Sequence, residues 1–153
     1  FLILGIYWVA HQHQFRVIRR VDRTLLWINL ALFVGIALIP VSARLLGEYG
    51  HYQTVIVLYG CNLIAVRLML YVHWAYATGR YRLVDPWLSP ESIAYLKRRI
   101  LWGPVAYLGA IGLSFWDTRL SLLVYVLVHL QFILPSRREH IPAPRPVAGS
   151  SAL

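Results

Sequence analysis

Four polar side chains stand inside apolar stretches, where each is costly unless something partners it. Arg67 lies mid-way along one such stretch, ten residues from Ala77 and so about 15 Å from that end of a helix. An arginine at that depth of a bilayer costs at least about 2.5–3.5 kcal/mol, so it faces the interior of a bundle or a watery cavity. None of the five apolar stretches contains an Asp or Glu to pair with it. Arg67 therefore reads either as a hydrogen-bonded tie between helices or as a residue of an ion path. Trp8 and His11 are spaced i, i+3 and share a helix face. Asn29 is an amide near the start of the next apolar stretch. An indole, an imidazole and an amide near one end of a bundle suit the polar support of a further helix, the alternative being isolated interfacial residues.

His11, His73 and His129 lie at or near corresponding ends of three stretches. Imidazoles in membrane helices invite axial ligation of haem, which needs two rings facing across a bundle. No helix carries histidines spaced for stacked haems, and hydrogen-bonding histidines are the competing reading. The single cysteine, Cys61, excludes an internal disulfide and reads as a small buried hydrophobe. No zinc-ligand spacing, phosphate-binding glycine loop or nucleophile elbow occurs, so no catalytic residue, cofactor or metal is expected.

The elements that hold these residues are apolar helices. Of 153 residues, 59% are hydrophobic and 14% charged, against about 25% charged in a soluble domain. Mean hydropathy is +0.59. The reading is an all-α polytopic transmembrane bundle over residues 1–136, with spans at about 1–15, 24–46, 53–77, 100–116 and 119–135. The last two are short, and a re-entrant hairpin about Trp116-Asp117-Thr118-Arg119 is the alternative. Ser89-Pro90-Glu91 has the pattern of a helix start, and 90–99 reads as a short interfacial helix. The Pro-rich residues 137–153 read as a disordered tail. Small residues at four-residue spacing (Ala31/Gly35, Cys61/Ala65, Ala106/Ala110) permit close helix approach. Pro40 and Pro104 are candidate kinks.

The net charge of +9 would suggest nucleic acid in a soluble protein. Here the basic residues sort by connection instead. Arg16, Arg19, Arg20 and Arg23 follow the first span; Arg80, Arg82, Lys97, Arg98 and Arg99 follow the third; Arg137, Arg138 and Arg145 follow the fifth. Twelve of the fifteen Lys and Arg residues lie in these regions, and the connections between them are poor in basic residues. The positive-inside rule puts the three regions, and the C-terminus, in the cytoplasm of a multi-pass protein with no nucleic-acid partner. Phe1 opens inside an apolar run, from which a sixth, upstream span is expected.

The run FLILGIYWVAHQHQF, the basic turn RVIRRVDRTLLW and the stretch INLALFVGIALIPVSARLLGEYG resemble bacterial members of the transmembrane protein 175 family, relatives of the lysosomal potassium channel. Trp8-x-x-His11, Asn29, and Pro40 followed by Gly47-Glu48-Tyr49-Gly50 are the most specific parts. The resemblance covers about residues 1–50 clearly and is looser beyond. It implies six helices per subunit and homotetramers passing potassium ions through a hydrophobic pore lined by a first helix that opens with Phe-Ser-Asp. That motif is absent from this sequence, and segment one matches the family's second helix. The resemblance further implies that Trp8, His11 and Asn29 cradle the pore helix. A potassium-permeable channel subunit surrounded by membrane lipids is the expected function. A haem-bearing redox subunit and a non-conducting assembly subunit are the rivals.

Overall fold

The computed structural model describes residues 2–133, and among them the architecture is all-α. The tail expected at 137–153 lies outside the described residues. Five helices follow in order: α1 (Leu2–Phe15), α2 (Arg23–Tyr49), α3 (Gln53–Thr78), α4 (Pro90–Ser114) and α5 (Thr118–Ile133). A single 3-10 turn, Gly79–Tyr81, follows α3. By length and composition α2 and the α3 stretch are apolar enough to cross a membrane. At 1.5 Å per residue α2 is about 40 Å long, which covers hydrocarbon and headgroups together.

Helices α2 and α4 start where a side chain satisfies one of their first amides. Asp22 caps α2, its Oδ1 accepting from the Leu25 amide at 2.8 Å. Ser89 caps α4 by accepting from the Ser92 amide at 3.2 Å, with Pro90 in the first turn. From there α4 runs unbroken to Ser114. The stretch 90–99, read as a short interfacial helix, is continuous with the rest of α4. No glycine or proline interrupts 91–102, so the backbone ladder continues through the basic residues 97–99. Pro40 and Pro104 both lie inside continuous helices.

Helix α3 is the centre of the bundle, packed on α2 along one flank and on α4 along the other, with α5 against α4. Its buried positions include Leu63, Val66, Leu70 and Trp74. Glycines set two close approaches. A Cβ on Gly35 of α2 would lie 3.0 Å from Val66 Cγ2. A Cβ on Gly60 of α3 would lie 2.3 Å from the Tyr125 hydroxyl and 2.8 Å from Ile111. The outward face of α2, with Leu26, Leu30, Val34 and Leu38, is exposed and apolar, as a lipid-facing surface must be. Cys61 also lies exposed, which corrects the expectation of a buried position. In a membrane bundle the outer face is as apolar as the core, so an apolar run does not reveal which way a residue points.

The connections after α1 and after α3 meet at one end of the bundle. Ile18 and Val84 form an antiparallel bridge, and the Arg19 amide donates to Leu83 O at 2.9 Å. The Arg19 guanidinium forms an ion pair with Asp85. Two of the basic connections thus share one face of the molecule.

Candidate functional site

Near that basic end, α1, α2 and α3 bring together four polar side chains from three regions of sequence. His11 Nε2–H donates to Asn29 Oδ1 at 2.6 Å. A carbonyl oxygen can only accept, so this bond uses a proton on Nε2 and none of the capacity of Nδ1. That Nδ1 is buried with no hydrogen-bond partner. One turn along α1, Gln14 Oε1 accepts from His73 Nδ1–H at 2.7 Å, and Gln14 Nε2–H donates to Leu70 O at 3.4 Å. His73 Nε2 is likewise buried without a partner. The two imidazoles lie 5.6 Å apart between ring centroids, and Phe15 packs against both at 4.6 and 5.2 Å. Each amide side chain engages one histidine.

The structure joins His11 and Asn29 directly. Trp8 is placed beside them, its ring centroid 6.3 Å from that of His11, but its indole is 55% exposed. Asn29 is half-buried. The Gln14–His73 pair is 59 residues apart in sequence, and no periodicity of α1 or α3 alone points to it. The spacing Tyr7, His11, Gln14 marks one face of α1 at i, i+4, i+7, and all three are buried.

The space between His11 and His73 does not seat a haem. His11 and His73 touch ring to ring with Phe15 against them, leaving no gap for a macrocycle. His129 is engaged elsewhere: its Nδ1–H donates to Tyr125 O at 2.7 Å, and its Nε2 lies 3.4 Å from the Tyr107 hydroxyl.

Arg67 sits deeper, 2% exposed, where α1, α3 and α4 converge. Its guanidinium lies over the Tyr7 ring at 5.2 Å. A Cβ on Gly103 would come within 3.1 Å of Arg67 Nε, so α4 makes room for the arginine by having no side chain there. Tyr107, one turn beyond Gly103, is close enough to interact with both Arg67 and Tyr7. A cation held by an aromatic face and hydroxyls needs no carboxylate. The sequence signals of this pocket were Gly103 and Tyr107 at i, i+4 on α4, both unremarked beside the adjacent Pro104.

At the basic end the main acid is Asp22. Its Oδ2 accepts from the Tyr76 hydroxyl at 2.7 Å, and Arg82 lies 4.8 Å over the Tyr76 ring. The Tyr76 bond, then the Leu25 amide, holds the Asp22 carboxyl below its usual range. Asp22 thereby ties the start of α2 to the end of α3.

This framework has counterparts among known proteins. The family model described as "Endosomal/lysosomal potassium channel TMEM175" matches residues 1–40. A protein named as a potassium channel from Streptomyces collinus is 28% identical over 154 residues, covering 94% of this chain and 74% of its own length. One from a Chryseobacterium species is 27% identical, over 90% of this chain and 70% of its length. The human endosomal/lysosomal proton channel TMEM175 is 29% identical over 85% of this chain, which spans 27% of that longer protein. The matched residues 1–40 include three members of the polar cluster, His11, Gln14 and Asn29, while the fourth, His73, lies outside them. The chain is thus similar to the TMEM175 channels over its first 40 residues, and to bacterial proteins named as potassium channels over nine-tenths of its length.

Proposed function

We propose that the protein is a subunit of a potassium-permeable channel, acting by passive permeation in a homotetramer in the cell membrane. The observation that carries this reading is similarity along nine-tenths of the chain to two bacterial proteins named as potassium channels. In this reading the helices α1 to α5 each span the membrane. The end bearing the Ile18–Val84 bridge faces the cytoplasm, together with the C-terminus, because positive connections are retained on that side.

The role we assign to Trp8, His11 and Asn29 is to seat the pore-lining helix. The exposed indole N–H and the amide of Asn29 are donors suited to hydroxyl or carboxylate acceptors on a neighbouring helix. His11 acts one step behind, holding Asn29 through the 2.6 Å bond. The cluster fixes the position of the pore helix without touching the ion, and apolar side chains form the constriction.

The complete protein reconstituted in liposomes loaded with potassium tests the reading. We expect potassium efflux that exceeds sodium efflux and is absent from empty liposomes. No flux of either cation from correctly assembled protein would overturn it. His11→Ala should reduce assembly or total flux while sparing the potassium-to-sodium ratio. A changed ratio with normal assembly would put His11 in the conduction path.

A further inference from the structure

A cavity of about 410 Å³ runs along α1 where it faces α3 and α4. That is within the about 300–1,000 Å³ of small-molecule sites. Its wall is apolar, formed by Ile6, Val9, Leu70, Leu96 and Ile100. Its polar lining is Arg99, His13, Gln14 and, deeper, Arg67, of which the two arginines carry charge. No Asp or Glu is among its lining residues.

The charges are not spread evenly along the cavity. His13 lies two residues from the end of α1, on the basic side of the bundle. The charges of Arg16 and Arg99 both act on it, which places the three groups together. Arg99 is half-buried, and the 70% exposed Trp102 stands one turn further along α4. An exposed tryptophan beside an arginine marks the level of lipid headgroups. From His13 the cavity extends along α1 past Gly5, a run of about 12 Å into the hydrocarbon. It thus offers the Arg99 cation and the His13 imidazole at headgroup level and an apolar channel below them, with one side formed by α1.

We propose that this cavity binds one anionic phospholipid from the leaflet on the basic side, its phosphate at Arg99 and His13 and one acyl chain along the apolar wall toward Gly5. The charge complementarity selects an anionic over a zwitterionic headgroup. The length of apolar wall selects a lipid over a soluble phosphate. Arg67 adds positive potential at the floor while remaining engaged with Tyr7.

Native mass spectrometry of the full chain, titrated with phosphatidylglycerol or with phosphatidylcholine of the same acyl chains, measures this directly. We expect one tightly retained phosphatidylglycerol per chain and weaker phosphatidylcholine binding. Arg99→Gln should weaken phosphatidylglycerol about fivefold, the effect of about one basic residue at a lipid surface, with Arg99→Lys close to wild type. A Cβ at Gly5 meets nothing within 4 Å, so Gly5→Phe should fill the channel and displace the lipid without disturbing the fold. Equal affinity for the two lipids in the wild type would overturn the proposal. So would competition by glycerol phosphate as effective as that by phosphatidylglycerol, which indicates a soluble ligand. A disulfide from Gly5→Cys to a cysteine scanned through other protein segments would also overturn it, since protein would then occupy the cavity. Arg99→Gln alone decides the matter if Gly5→Phe lowers yield: unchanged phosphatidylglycerol binding refutes the site. None of these readouts uses ion flux, so this inference and the channel reading fail independently.

Discussion

At Arg67 a desolvation cost is set against an aromatic and hydroxyl environment that uses the charge. Arg67 lies eleven residues before the end of α3, too far for its side chain to reach a headgroup region. Its surroundings instead supply the Tyr7 face, the Tyr107 hydroxyl and the notch at Gly103. Replacing Arg67 with Leu removes a donor from the buried Tyr107 hydroxyl and the cation from the Tyr7 face, which costs about 1–3 kcal/mol. We expect Arg67→Leu to lower the midpoint of detergent denaturation by that amount. Arg67→Lys should recover only part, because an ammonium lacks the planar face that stacks on tyrosine. An unchanged midpoint in Arg67→Leu would show that the arginine contributes nothing to the fold. Asp22 gives a second test, through pH. Its carboxyl titrates lower in the folded state than in the unfolded state, so the unfolded chain binds the proton first. Its contribution is therefore complete above the unfolded value of about 3.9 and is lost as pH falls through the lower folded value. The stability difference between wild type and Asp22→Asn should be constant near neutrality and shrink on acidification below about pH 4. A difference that grows on acidification would contradict the sign. Residue types alone made His11, Asn29 and Arg67 conspicuous. Their partners were not legible, because Gln14, His73, Tyr7 and Tyr107 become neighbours only when three helices pack.

Among the elements, length decided what could be read. Helices α2 and α3 are long, apolar and bounded by turns, and their existence follows from the sequence with little ambiguity. Helix α4 was harder: its basic run at 97–99 resembles a boundary, whereas backbone hydrogen bonding continues through it. Hydropathy registers where charge lies, and a helix ends only where its backbone ladder does. The small-residue spacings illustrate the same gap. Cys61 and Ala65 have the right separation but are both exposed, while the tight α3–α5 approach is made at Gly60. There the Tyr125 hydroxyl donates to Ile56 O at 3.1 Å across the junction. Gly60→Ala should force Tyr125 and Ile111 aside and destabilise the bundle by about 1–3 kcal/mol, the usual cost of overpacking. The measurement is again the denaturation midpoint, with Gly47→Ala as control because its Cβ would meet nothing within 4 Å. Equal effects at the two glycines would rule out the close approach at Gly60.

For the whole molecule, the alternation of basic and poor connections makes a prediction about sidedness. Cys61 is the sole cysteine, so Cys61→Ser provides a background for single-cysteine labelling in intact cells. Cysteines at Arg20 and Lys97 should be protected from an impermeant reagent, and one at Glu48 should react. The reverse pattern would invert the molecule and with it the assignment of the basic end. The Ile18–Val84 bridge also has a mechanical meaning. Helix α1 is fastened at its basic end by that bridge, by the Arg19–Asp85 ion pair and by the Gln14–His73 bond, while the cavity runs along its face toward α3 and α4. A helix fastened at one end passes sideways force along its length to that fastening. Whatever pushes on the far end of α1 is therefore felt at His11 and Asn29, where a shift of a few tenths of an ångström is enough to weaken a 2.6 Å hydrogen bond.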